Sequence, residues 1–223
     1  MDVSNCYLER TAPFVLGQLL STPQPSELRH ITSLRLDGNY FSNDGLANAL
    51  SSIAEECERT VLFPVLEQLY LNNMNLDSSA VSGVLSFLFP IDRVAAQRFS
   101  VQLPAVPEVF QRPHTVSATP TPIFPAIKVL CLSDNPGLGT AGFTCVLQHL
   151  LTSHFSDHQL SVLDLSRCDL DKKCGKPLKQ YVKEIDEAHA EGTFPVVTQN
   201  IVLMGNARFK VPNHSEGTTK IVI

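Results

Sequence analysis

The stretch Leu160-Ser161-Val162-Leu163-Asp164-Leu165-Ser166-Arg167-Cys168-Asp169-Leu170 decides the fold, because its spacing returns three more times in the chain. It returns as Ile31-x-x-Leu34-x-Leu36-x-x-Asn39-x-Phe41, as Leu66-x-x-Leu69-x-Leu71-x-x-Met74-x-Leu76, and as Ile127-x-x-Leu130-x-Leu132-x-x-Asn135. In each copy two apolar residues alternate with more polar neighbours, the period of a half-buried strand. The position three residues after the strand holds Asn39, Asn135 or Cys168. An asparagine there can bond the backbone groups left free where the chain turns away from the strand. Met74 cannot, so the second turn must be held from elsewhere. A helical spacing follows each turn: Leu46, Leu50, Ile53 and Cys57; Leu85 and Leu88; Phe143, Val146, Leu147 and Leu150; Leu178, Tyr181, Val182 and Ile185. Ser42 or Asn43, and Asp77, are the expected caps.

A second marker keeps the register. Phe63-Pro64 and Phe124-Pro125 precede two of the strands, and Phe194-Pro195 precedes a weaker one, Ile201-Val202-Leu203, with Asn206 in the asparagine position. That last unit needs one extra residue, which leaves its register open. The units start 35, 61, 33 and about 37 residues apart. The long gap places a degenerate repeat at 90–126, opening at Phe89-Pro90, with its strand slid to Phe99–Leu103. Six of the fifteen prolines fall in 104–125, so that part reads as an extended insertion rather than a helix.

The repeated pattern resembles the leucine-rich repeat. The long units, the run Ser42-Asn43-Asp44-Gly45-Leu46 and its variant through Gly142 are similar to the ribonuclease-inhibitor-like class. The resemblance covers roughly residues 28–209. It implies an α/β solenoid, a curved parallel sheet on the concave side with helices on the convex side. The expected organisation is an N-terminal cap helix region at 1–27, with its helix around Phe14–Leu20. About five repeats at 28–209 and a C-terminal tail at 210–223 follow. The ending Lys220-Ile-Val-Ile223 is expected to pack as an edge strand or to continue an assembly.

Composition narrows the function. No apolar run approaches the ~18 residues of a membrane span, and the N-terminus lacks the pattern of a secretory signal. The net charge of −5 argues against a nucleic-acid footprint. Six cysteines without a C-x-x-C pair read as reduced thiols, which points to the cytoplasm, with a cytoskeletal or ciliary association as a further option.

Three motifs offer chemistry. Gly137-x-Gly139-x-x-Gly142 follows a strand and opens a helix, with Asp164 at a later strand, which on paper is a dinucleotide fingerprint. Against it, four residues separate the strand from the first glycine, and Asn135 and Leu138 already explain the segment as repeat positions. His149, His154, Asp157 and His158 read as a solvated helix end rather than a metal site. Cys145 and His149 stand four apart, the spacing of a catalytic pair, but Cys145 belongs to the apolar helix face. The charged run 171–191 reads as a solvated convex helix.

What remains is the concave sheet. Arg35, Asp37, Tyr40, Gln68, Tyr70, Asn72, Asp164 and Arg167 are the expected protein-binding residues, with the tyrosines and arginines as anchors. The reading is a non-catalytic interaction scaffold or assembly subunit that binds protein, without cofactor or metal. A regulator of a small GTPase or of the cytoskeleton is the alternative that the resemblance offers. A nucleotide-cofactor enzyme using the glycine loop is the weaker one.

Overall fold

The computed structural model describes residues 1–6, 30–57, 62–90, 97, 105–111, 122–152, 160–192, 198, 200–209 and 219–223. Six short strands form one parallel sheet in chain order: β1 (Ser33–Arg35), β2 (Gln68–Tyr70), β3 (Val129–Cys131), β4 (Val162–Asp164), β5 (Asn200–Val202) and β6 (Lys220–Val222). Among the described residues four α-helices alternate with them: α1 (Asn43–Cys57), α2 (Ser78–Leu88), α3 (Gly139–Thr152) and α4 (Gly175–Ala190). Sequential parallel order requires each strand to be followed by a crossover, and the helices supply it for four of the five steps or lie within it.

The register is the repeat itself. Leu34, Leu69, Leu130, Leu163, Ile201 and Ile221 align across the sheet. All but Ile221 are buried, and they meet the apolar stripes of the helices in one continuous core. The alignment fixes the open register of the fifth unit, with Thr198, buried, in its first position. The caps are as expected. Ser42 Oγ accepts from Gly45 N at 3.1 Å, and Asp77 Oδ1 accepts from Ala80 N at 2.7 Å.

An asparagine ladder ties the units together. Asn135 Oδ1 accepts from Met74 N and Leu76 N, both at 3.0 Å, and its Nδ2 donates to Leu71 O and Leu132 O, both at 2.9 Å. Asn135 therefore holds the turn that Met74 cannot, and Met74 fills its own position as an apolar core residue. Asn206 does the same for the turn of Cys168, accepting from Cys168 N and Leu170 N and donating to Leu165 O and Leu203 O. The residue before each ladder position takes a left-handed conformation: Gly38, Asn73, Asp134, Arg167 and Gly205. Glycine, asparagine and aspartate tolerate it, and Arg167 is the costly member of the column.

Both described ends of the chain extend the sheet. Met1–Val3 run parallel to β1, with Asp2 bridged to Arg35 and Asn39 Nδ2 donating to Val3 O, and the chain then turns at Ser4 and a left-handed Asn5, so the segment flanks β1 at the sheet edge. The expected cap helix around Phe14–Leu20 lies outside the described residues. β2 pairs directly with β3, and most of segment 90–126, where a degenerate repeat is expected, lies outside the described residues. The expected strand at 99–103 lies outside the described residues. The described part of the insertion packs on the helical side. Ser82 Oγ donates to Ala105 O at 2.9 Å, and Phe110 is buried over Gly83 of α2. A Cβ at Gly83 would stand 2.2 Å from the Phe110 ring, so only glycine leaves room there. The tail supplies β6, the edge strand, pairing Ile221 with Ile201.

Candidate functional site

The strand side chains that do not enter the core line the opposite face of the sheet. Side chains alternate along a strand, so every residue next to a core leucine must point this way. Two rows result. One runs Ser33, Gln68, Val129, Val162, Asn200, Lys220, and the other runs Arg35, Tyr70, Cys131, Asp164, Val202, Val222. Strands about 4.8 Å apart make the second row about 24 Å long from β1 to β6.

The structure brings five of the expected residues together at the β1–β2 end. Arg35 lies over the Tyr70 ring, 4.2 Å from its centroid, and its Nε reaches Asp37 Oδ2 at 3.2 Å. Tyr70 Oη donates to Gln68 Oε1 at 3.1 Å. Asp37 Oδ1 accepts from Asn72 N at 2.9 Å, and Asn72 Oδ1 accepts from Ser133 N and Ser133 Oγ. Arg35, Asp37, Gln68, Tyr70 and Asn72 are thus one network, held in place before any partner arrives.

Arg167 stands apart from that network. It grips Asp134 with two hydrogen bonds, Nε to Oδ1 at 2.5 Å and Nη2 to Oδ2 at 2.7 Å. The Arg167 guanidinium holds the Asp134 carboxyl below its usual range. Both residues occupy the left-handed column, one unit apart, which places the side chains side by side. Spacing alone put Arg167 among the anchors. Its partner Asp134 was legible only as the same column one repeat earlier.

Asp164 sits in the middle of the face. Its Oδ1 accepts from Ser166 N at 2.9 Å and from Ser166 Oγ at 2.6 Å. Its row neighbours are Cys131 and Val202. Cys131 is nearly covered, and burial, with the Asp164 charge adding to it, pushes its thiol up to about 12. Tyr40 lies beyond the turn, outside the two rows, with 63% of its surface exposed.

The residues considered for catalysis have other uses. Gly139 N–H donates to Cys168 O of the next unit at 3.2 Å, so it is not free to cradle a phosphate. A Cβ at Gly142 would meet the Leu138 side chain at 2.7 Å, and one at Gly137 would meet Leu76 O at 3.2 Å. Gly137 permits close approach to the preceding unit, Gly142 close packing within its own, and Gly139 takes a left-handed turn. His149 does not belong to a solvated helix end. It is fully buried, with Nε2 3.5 Å from Ser82 Oγ, and burial holds it down to about 4. The same burial raises the Cys145 thiol, so neither member is poised for nucleophilic work. His154, Asp157 and His158 lie outside the described residues. Among the described residues no group of three or more His, Cys, Asp or Glu could hold a metal, and no helix is long and apolar enough to cross a membrane.

The family model of a leucine-rich repeat domain matches residues 1–218 of the chain. No curated protein matches the chain.

Proposed function

The chain belongs to the leucine-rich repeat family, and from that premise we propose that it is a non-catalytic protein-interaction module, a scaffold or subunit that binds a partner protein through its concave sheet. Leucine-rich repeat domains commonly bind proteins. The observation that carries the reading is the pre-formed network of Arg35, Asp37, Tyr70, Gln68 and Asn72 on that face. Side chains already fixed lose little conformational entropy on binding, and a stacked Arg–Tyr pair is the kind of group that anchors interfaces. The long strand–helix units favour the ribonuclease-inhibitor-like class. The six free cysteines, three of them buried, favour a reducing, cytoplasmic setting.

The test compares the tagged chain with its Arg35→Ala/Tyr70→Ala variant in affinity purification followed by mass spectrometry. Both residues are partly exposed, so the variant is expected to fold as the parent does. The proposal requires stoichiometric partners that the variant loses. Partners retained in full by a folded variant would move the interface off this face.

A further inference from the structure

Resting on the concave-face reading, we propose that Asp164 is the specificity point of that face and receives a basic side chain, Lys or Arg, from an extended segment of the partner protein flanked by aliphatic residues. The charges around it lead to this assignment. Arg35 is already engaged by Asp37 and the Tyr70 ring, and Arg167 is bonded to Asp134, while its charge reaches Asp164 only through space. Asp164 is different. Ser166 binds Oδ1 twice and so fixes the carboxylate, while Oδ2 accepts from no described residue. The central carboxylate of the face is therefore oriented and half-buried, and its second oxygen is left to an outside donor.

Its surroundings define what that donor is attached to. Val202 and Cys131 flank Asp164 across the strands, and Val162 lies two residues back on the same side. Val129 stands diagonal to it in the neighbouring row. Each is within about 5–8 Å by sheet geometry. A lysine or arginine laid over this patch rests its methylene stem on the valines and brings its cationic end to Oδ2. An acidic group would meet repulsion there, and a purely apolar one would leave Oδ2 without water or a partner.

The test is selection of a displayed random 12-residue peptide library on the immobilised full chain, then affinity measurement of the enriched peptides. Asp164→Asn is the informative variant. It removes the charge and keeps an oxygen that can accept from Ser166, so the chain should unfold at the parent temperature. The expected result is enrichment of Lys or Arg beside aliphatic residues, with affinity falling at least about tenfold for Asp164→Asn. Asp164→Lys should reject those peptides and accept versions carrying Glu in place of the basic residue. Peptides without a basic residue, or indifferent to Asp164→Asn, overturn the proposal, as does a library from which nothing is enriched. Peptides that ignore Asp164→Asn but are lost with Tyr70→Ala would overturn this assignment alone. Peptides indifferent to both would count against the concave-face reading as well.

Discussion

Replacing Asn135 with alanine should be among the most damaging single changes in this chain, although the residue touches no partner and supplies no apolar surface. Its side chain is fully bonded and buried: Oδ1 accepts from Met74 N and Leu76 N, and the two Nδ2 hydrogens go to Leu71 O and Leu132 O, with Ser133 O sharing one of them at 3.2 Å. Alanine leaves the two N–H groups inside the core with no substitute. A buried unsatisfied polar group costs about 1–3 kcal/mol, so the two donors alone cost about 2–6 kcal/mol. We take about 4 kcal/mol, a large share of the ~5–15 kcal/mol that holds a typical domain. For a chain of this size that is a fall of about 8–16 °C in Tm. Asn39 is the internal control. Its amide bonds Cys6 N and Val3 O at the sheet edge, both only partly buried so that water can replace them, and keeps one buried bond, to Leu36 O. Asn39→Ala should cost about 1–2 kcal/mol. Urea unfolding of both variants, with amide exchange read at Met74 and Leu76, makes the comparison. A cost for Asn135→Ala below about 1 kcal/mol, or below that of Asn39→Ala, would refute the ladder argument.

Four further outcomes follow from named contacts. Gly83→Ala should destabilise by about 1–3 kcal/mol because its methyl group collides with the Phe110 ring, and in a Phe110→Ala background it should cost nothing or stabilise slightly; a calorimetric double-mutant cycle reads this. His149 is held down to about 4 in the folded chain against 6.5 unfolded, so its contribution is complete above pH 6.5 and is lost as pH falls from 6.5 through 4. That loss is on the order of 3 kcal/mol, and His149→Gln should flatten this part of the stability–pH curve in urea titrations from pH 7 to pH 4. A thiol reagent should label Cys6 at once and Cys131, Cys168 and Cys174 only at the rate of unfolding; rapid labelling of the last three would contradict their burial. Nicotinamide dinucleotides should leave Tm unchanged, since the Gly139 N–H is committed to Cys168 O; a stabilisation of several degrees abolished by Gly139→Val would reinstate the glycine loop as a cofactor site.

The sheet was legible because its information is periodic. Each core leucine faces an equivalent leucine one unit away, so four copies of one spacing fix strand position, register and the side that faces the helices. The fifth register stayed open in the sequence because Thr198, not a leucine, fills its first position, and only pairing of Leu163 with Ile201 settles it. The described part of segment 90–126 was not legible for a related reason. Phe110 and Ala105 make their contacts to α2, a long-range match of shapes that no spacing announces. His149 reads as polar and terminal in a helical pattern, yet it is buried beside Ser82 of α2. Of the candidate site, the face of the strand positions Arg35, Gln68, Tyr70 and Asp164 followed from alternation alone. Their partnerships did not: that Arg35 pairs with Tyr70 and Asp37, that Arg167 bonds Asp134, and that Asp164 bonds Ser166 rather than either arginine, depends on side-chain conformation across neighbouring units.

Site-specific photo-crosslinking would test the concave-face account most directly. A benzophenone amino acid replaces Val202 on the concave face in one sample and Lys179, on the exposed side of α4, in another. Irradiation in cells followed by mass spectrometry should yield a discrete protein adduct from position 202 and none from position 179. An adduct formed only at position 179 would contradict the account and place the partner on the helices.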